Sequence, residues 1–335
     1  MRSAAVIGAG SWGTALGALL AAKGVPTRIW DINKETLAAI NERHENTRYL
    51  PGIGLPEVLT AHTDLEQAVS GADLVVLVVP STVMREVAAR IAPCVAPGTV
   101  FCSATKGIEL GTLMTMSEVL LDVLDEVHHE HLAFLSGPSF AVEVAQHMQT
   151  AVTVASRNHD VAVEVQRTFH TPYFRPYTST DVVGVEIGGC TKNVIAIATG
   201  LADGMGFDAN ARAALITRGL VEISRLGVAR GADPATMTGL SCLGDLVLTC
   251  SSVKSRNYRV GHGLGRGKTL EAIQEELGQV AEGVVNARSV HDLAAQVGVE
   301  MPISHAVYRM LYEGLSPEGV LRALTERELR PESWV

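Results

Sequence analysis

The chain begins with a compact apolar run, Ser3–Gly8 (SAAVIG), that passes directly into Gly8-Ala9-Gly10-Ser11-Trp12-Gly13. Leu16, Leu19 and Leu20 then recur at helical spacing, up to a Lys23-Gly24 stop. Alone, a G-x-G-x-x-G pattern is a weak signal, but between a buried strand and a new helix it is a specific one. Each glycine has its own reason. Gly8 permits the tight turn, Gly10 lets a pyrophosphate approach the backbone, and Gly13 lets the helix lie close to the strand. Free N–H groups at the helix start then face the phosphates. The pattern predicts a bound dinucleotide; the plainer alternative is a tight strand-to-helix turn. Asp31 ends a second strand pattern, Thr27–Asp31, 18 residues beyond Gly13. An acidic group there accepts hydrogen bonds from ribose hydroxyls and repels a 2′-phosphate, which favours NAD over NADP. Capping the following helix is its alternative role, one that Asn33 is equally placed to fill.

The same alternation continues along the chain. A helix is expected over residues 33–43, then a loop containing Pro51, Gly52, Gly54 and Pro56. Further strands are expected at Leu74–Val79, Val100–Cys102, Leu132–Leu135, Ala151–Ala155 and Tyr173–Tyr177, with helical segments between. Strands alternating with helices predict a mainly parallel sheet. From Gly188 onward the patterns are helical, and Gly188, Gly189 and Gly200 bracket a small-residue helix, GGCTKNVIAIATG. The expected fold is therefore an α/β Rossmann-like doubly wound sheet followed by an all-α domain. We place a dinucleotide-binding domain at residues 1–185 and a helical substrate and catalytic domain at 186–335.

A net charge of −9 argues against nucleic acid as a partner, although a few local cations suffice for a small anion. The five cysteines (Cys94, Cys102, Cys190, Cys242, Cys250) have no C-x-x-C spacing and read as reduced thiols in a cytoplasmic protein. The start shows no signal-peptide pattern, and no apolar run approaches the ~20 residues of a membrane span. His128, His129, Glu130 and His131 resemble a metal cluster in composition only; adjacent residues do not converge on one ion, so they read as a solvated helix end and no metal is expected.

Longer motifs carry the reading further. They are ATKG at Ala104–Gly107, SGPSFAVE at Ser136–Glu143, GGCTKNVIAI at Gly188–Ile197, GLSCLGDLVLTC at Gly239–Cys250, SRN at Ser255–Asn257 and VAEG at Val280–Gly283. With GAGSWGTAL at the start, they closely resemble the bacterial NAD(P)-dependent sn-glycerol-3-phosphate dehydrogenases, from the first strand to about residue 315. That family interconverts dihydroxyacetone phosphate and sn-glycerol 3-phosphate and so supplies the phospholipid backbone. The resemblance implies that Lys192 is the catalytic acid and base. It implies substrate contacts from Lys106, Gly137, Ser139, Lys192, Asp245, Ser255, Arg256 and Asn257. It implies NAD or NADP contacts from Ser11, Trp12, Tyr49, Lys106, Ala141, Arg256, Val280 and Glu282, besides the glycine turn. Ser139 stands where many relatives carry Thr, which keeps the hydroxyl. Asp31 and Ile32 depart from the polar or basic pair frequent there, which bears on NADP use rather than on the reaction.

The residue types suit that chemistry. Ketone reduction needs a proton delivered to the carbonyl oxygen, and the reverse reaction needs a neutral amine to take it back, so the Lys192 pKa must fall toward the working pH. Burial and a second cation such as Lys106 act in that direction. Both ammonium groups suit a developing alkoxide, with Asp245 and Asn193 to orient them. Arg256 offers a fork for phosphate, with Ser255 and Asn257 as neutral donors. Plainer roles exist for each: Lys192 and Arg256 as surface charges, Lys106 at a strand–loop junction, Asp245 as a helix cap. Two other functions fit the plan less fully, a hydroxy-acid or sugar-acid dehydrogenase and a dinucleotide sensor without turnover. The expected partner is a small phosphorylated three-carbon substrate, and the expected assembly a homodimer.

Overall fold

The computed structural model describes residues 1–329 and 331–332. Its strands are β1 (Ala4–Ile7), β2 (Thr27–Trp30), β3 (Glu45–Asn46), β4 (Leu50–Gly54), β5 (Leu59–His62), β6 (Leu74–Leu77), β7 (Val100–Ser103), β8 (Leu132–Ser136), β9 (Thr150–Ala155) and β10 (Phe174–Ser179). The chain divides into two compact units. One comprises Met1–Thr105 with Met116–Val182, the other Lys106–Thr115 with residues from Val183 onward. A linear boundary at 185/186 leaves residues 106–115 on the wrong side. Ile108 belongs to the second hydrophobic core, and the Lys106 carbonyl accepts a hydrogen bond from the Asn286 amide, so this segment folds with the helical unit.

In the first unit the sheet order is β10-β9-β8-β7-β6-β1-β2-β5. Strands β5, β2, β1, β6, β7 and β8 run parallel, β9 is antiparallel to β8, and β10 is parallel to β9. The order reverses between β1 and β6, where the chain winds one way to β2 and β5 and the other way to β7 and β8. At such a switch point the loops leaving the strands diverge and leave a crevice at their carboxyl ends. Central strands β1 and β6 are buried at every residue. That follows from helices covering both faces, which makes the strands continuously apolar rather than alternating. Fold class and all but one of the larger sheet's strands match the sequence reading. The edge strand β5 (LTAH) is polar at two of four positions and gave no strand pattern. The loop around Pro51 is also more ordered than expected, forming the antiparallel hairpin β3–β4.

The second unit is helical, built on the long helix Val182–Gly204. Its length and composition would suffice to cross a membrane, but 89% of its apolar window is buried within the protein. Gly188 and Gly200 lie inside this helix and do not bracket it. A Cβ at Gly188 would sit 2.8 Å from the Cβ of Cys242, and one at Gly200 only 2.0 Å from the Tyr258 carbonyl oxygen. These glycines therefore mark close helix approaches rather than ends. The four histidine-region residues lie in a 3₁₀ turn, Glu126–His131, but His128 is buried edge-on to Phe101 at 5.4 Å instead of solvated. Burial is why its pKa is lowered. All five cysteines are free, and all but Cys94 are buried.

Candidate active site

The first unit presents the glycine turn at the carboxyl end of β1. Gly8 has φ +113°, and a Cβ on it would come within 2.7 Å of the Val78 carbonyl oxygen. At Gly13 a Cβ would lie 1.9 Å from the Gly8 carbonyl oxygen, so only glycine lets the helix Ser11–Ala22 start this close to β1. Gly10 differs: a Cβ there would meet nothing within 4 Å. The outer side of the turn is thus open where a pyrophosphate must approach. The helix start has no side-chain cap and no acidic residue in its first turn. Its N–H groups and positive dipole end remain suited to an anion, and the residues present fit a dinucleotide.

Asp31 follows β2. Its Oδ2 accepts from the Ala9 amide at 2.7 Å and its Oδ1 from the Asn33 amide at 2.9 Å. Asn33 caps the next helix by accepting from the Thr36 amide, so the capping role belongs to Asn33 and not Asp31. Tyr49, in the β3–β4 hairpin, is joined to the same turn, because the Ser11 hydroxyl donates to its carbonyl at 2.6 Å. Trp12 is half-buried against the core of this unit. Gly137 and Ser139 follow β8 at the same carboxyl edge, with the Ser139 hydroxyl donating to the Gly137 carbonyl. Ala141 begins the short helix Ala141–Ala145 beside them.

The second unit holds a buried charge cluster. Lys192, midway along Val182–Gly204, is 6% exposed and Asp245 is 2% exposed. The Lys192 ammonium donates to Asp245 Oδ1 at 2.8 Å and to the Thr249 hydroxyl at 2.6 Å. Lys106 donates to the other carboxylate oxygen, Oδ2, at 2.5 Å. Asp245 opens the helix Asp245–Cys250 straight after a π-type turn, Leu240–Gly244. That wide turn carries Cys242, which seats against Gly188 and brings Asp245 onto the Lys192 helix. Asp245 is thus a counter-ion, not a cap, and Lys192 is not a surface charge. Lys106 is likewise engaged with Asp245 rather than terminating a strand.

Burial alone would favour a neutral Lys192 and a neutral Asp245. Burial lowers the Lys192 pKa to about 8, Lys106 adding to the fall and Asp245 opposing it. For Asp245, burial pushes upward, but Lys106 and Lys192 outweigh it and hold the carboxyl below its usual value. Glu282, the first residue of helix Glu282–Val297, lies in the field of Arg256, Lys106 and Lys192. Withdrawal from solvent nevertheless raises its pKa to about 7.

The Ser255–Asn257 segment starts the helix Arg256–Gly265. The buried Ser255 caps it by accepting from the Tyr258 amide, and Asn257 Oδ1 accepts from the Gly283 amide at 2.9 Å. Arg256 is exposed and donates to the Val280 carbonyl at 2.8 Å. Two motifs far apart in sequence, SRN and VAEG, are therefore joined. Asn193 is buried next to Lys192 but no hydrogen bond ties its side chain to Asp245, so the orienting partner is Thr249 instead. The sequence reading missed Thr249. Its signal was the i, i+4 spacing from Asp245, which puts both side chains on one helix face. It also missed Asn286, whose amide donates to the carbonyls of Lys106 and Cys190 and fixes the Lys106 backbone beside the Lys192 helix. No group of three or more His, Cys, Asp or Glu side chains suited to a metal occurs among the described residues.

Comparison with known proteins agrees with this architecture. The N-terminal part of the family described as NAD-dependent glycerol-3-phosphate dehydrogenase matches residues 3–162, and its C-terminal part matches residues 181–322. A glycerol-3-phosphate dehydrogenase [NAD(P)+] of Anaeromyxobacter dehalogenans is 59% identical over 98% of this chain and 99% of its own. The crystal structure of glycerol-3-phosphate dehydrogenase from Coxiella burnetii superposes with a TM-score of 0.93 at 41% identity, over 97% of this chain and 99% of that one. A PanE/ApbA family ketopantoate reductase from Ralstonia eutropha, at 16% identity and a TM-score of 0.60 over 96% of this chain and 99% of its own, shares the fold alone. With the family matched in both parts and across nearly the whole chain, this protein belongs to the NAD-dependent glycerol-3-phosphate dehydrogenases.

Proposed function

We propose that the chain interconverts dihydroxyacetone phosphate and sn-glycerol 3-phosphate with NAD(P)(H), and that Lys192 moves the proton. The buried Lys192–Asp245–Lys106 cluster carries this reading. Bound NAD(P)H supplies the hydride to C2 of the ketone. An ammonium has three N–H bonds. Asp245 and Thr249 engage two of those on Lys192, which leaves one to donate to the substrate carbonyl oxygen. A pKa of about 8 suits a group that must give a proton in one direction and take it in the other. Lys106 and Lys192 with Asp245 carry a net single positive charge, which favours the alkoxide as it develops. Arg256, the remaining hydroxyl hydrogen of Ser255 and the Asn257 NH₂ group are assigned to the phosphate, and Gly137 and Ser139 to the substrate.

The glycine turn, Ser11, Trp12, Tyr49, Lys106, Ala141, Arg256, Val280 and Glu282 are assigned to the dinucleotide. We further read the protein as a cytoplasmic homodimer that supplies glycerol 3-phosphate for phospholipid synthesis. The direct test follows NADH and NADPH absorbance with dihydroxyacetone phosphate. Oxidation is expected, and its absence with both cofactors at millimolar substrate would contradict the reading.

Asp31 sets the expected cofactor preference. Two backbone amides fix its carboxylate, so it does not swing away from an incoming 2′-phosphate. NADH is expected to give the higher kcat/KM. Asp31→Asn keeps an acceptor for the Ala9 amide but removes the charge, and should narrow the preference by about tenfold, ~1.4 kcal/mol. A wild-type enzyme that prefers NADPH would refute the assignment.

A further inference from the structure

Asn46 is fully buried in the β3–β4 hairpin, although Thr47, Arg48, Pro51 and Gly52 of the same hairpin are exposed. Its side-chain amide is engaged on both ends. Nδ2 donates to the Ala9 carbonyl at 2.8 Å and to the Thr14 hydroxyl at 2.7 Å, while Oδ1 accepts from the Tyr49 amide at 3.0 Å. Ala9 is the residue between the first two glycines of the turn. Its amide is held by Asp31 and its carbonyl by Asn46, so both of its peptide groups are anchored by side chains. Thr14 lies in the first turns of the helix that follows, and its own hydroxyl also reaches the Ala9 carbonyl at 3.2 Å. Tyr49, whose amide Asn46 fixes, also receives the Ser11 hydroxyl on its carbonyl. One buried amide therefore ties together the glycine turn, the start of its helix and the hairpin.

We propose that Asn46 is a positioning residue for the dinucleotide: it holds the Ala9 peptide and the Ser11–Tyr49 contact in the arrangement that receives the pyrophosphate. The reasons are physical. A glycine-rich turn has more backbone freedom than any other, and ordering it on binding costs affinity. A turn fixed in advance by buried hydrogen bonds avoids that cost. Serine or alanine at 46 cannot span to all three partners. Aspartate is nearly isosteric, but it offers an oxygen where two acceptors already stand. Because the pyrophosphate is common to both cofactors, Asn46 acts on NADH and NADPH alike, whereas Asp31 acts on their difference. The inference rests on the assignment of the glycine turn to the cofactor.

The test measures Kd for NADH and NADPH by fluorescence titration, together with kcat at saturating cofactor, in Asn46→Asp, Asn46→Ser, Thr14→Val and Gly10→Val. Asn46→Asp should raise both Kd values by the same factor, about 10- to 100-fold for a buried amide left opposing acceptors. The kcat at saturating cofactor and the KM for dihydroxyacetone phosphate should stay unchanged. Thr14→Val should give a smaller rise that is less than additive with Asn46→Ser, since both remove the same contact. If Asn46→Asp does not fold, the Asn46→Ser and Thr14→Val pair decides the matter by the same readout. Gly10→Val separates the two levels of inference. If it weakens cofactor binding while the Asn46 and Thr14 variants do not, the positioning role is overturned and the cofactor site stands. If Gly10→Val leaves both Kd values unchanged, the cofactor site itself is misplaced. A changed NADH to NADPH ratio, or a fall in kcat at saturating cofactor, would also overturn the proposal.

Discussion

Replacing Lys192 by alanine is expected to lower kcat roughly 100- to 10 000-fold, the usual contribution of a positioned general acid. Cofactor Kd should hardly move, because the glycine turn is held by hydrogen bonds within its own unit, from Asp31 and Asn46, and none of these involves Lys192. Stability should also change little: Asp245 keeps its Lys106 partner at 2.5 Å and the Thr249 hydroxyl at 3.2 Å. Equal losses in kcat and cofactor affinity would instead make Lys192 a structural residue. The pH profile gives a second check. Ketone reduction needs the ammonium, so its kcat should fall as pH rises through about 8; alcohol oxidation needs the amine, so its kcat should rise through the same point. A single limb of the same direction for both reactions would exclude this role. The same shift bears on stability. The folded-state pKa lies below the ordinary 10.5, so the folded chain binds fewer protons between about 8 and 10.5. The cost of burying Lys192 is therefore full below pH 8 and is relieved as pH rises through that window.

Asp245→Asn is expected to be the more damaging change for stability. It leaves two ammonium groups facing each other in a buried site without their counter-charge. Breaking a buried ion pair from one side costs about 3–5 kcal/mol. The lower end applies here, because Lys106 keeps some solvent exposure and Lys192 can shed its proton. The loss would be read as a fall in the urea midpoint. Asp245 is also the main influence holding the Lys192 pKa up against burial. Its removal should move the limbs of both pH profiles to lower pH, and reduction at neutral pH should suffer more than oxidation. Limbs that stay in place would mean that Asp245 does not govern the proton on Lys192.

The two variants separate what this cluster does for chemistry from what it does for folding. Lys192 is costly to bury and is retained without a structural need that Lys106 does not already meet. Asp245 serves both lysines, and that is why its loss reaches the fold. The buried Glu222 offers a contrast within the same unit. Its carboxyl accepts from the amides of Ile303 and Ser304 and from the Ser304 hydroxyl, so it caps another helix. Burial raises its pKa to about 7 as well, which shows that a shifted pKa here does not by itself mark a catalytic group.

What the sequence determined by itself was mostly local. The glycine turn follows from steric limits within six residues, and the central strands from continuous apolar runs, so both were legible from Gly8–Gly13 and Leu74–Leu77. The motif set also named the candidate chemistry-bearing residues one by one. Tertiary structure decided how they combine. β5 exists as a strand because β2 offers it an edge to pair with, not because LTAH favours strand. Residues 106–115 fold with the helical unit because Ile108 finds its core there. Gly188 lies mid-helix because Cys242 must come close. Lys192 and Asp245 are 53 residues apart, Lys106 and Asp245 139 apart, and Asn46 reaches Ala9 across 37. No pattern along the chain encodes such contacts, since burial and hydrogen-bond satisfaction are settled only when distant segments meet. The glycine turn announces that a dinucleotide fits; the hydrogen bonds by which Asp31 and Asn46 anchor Ala9 are visible only in the folded chain.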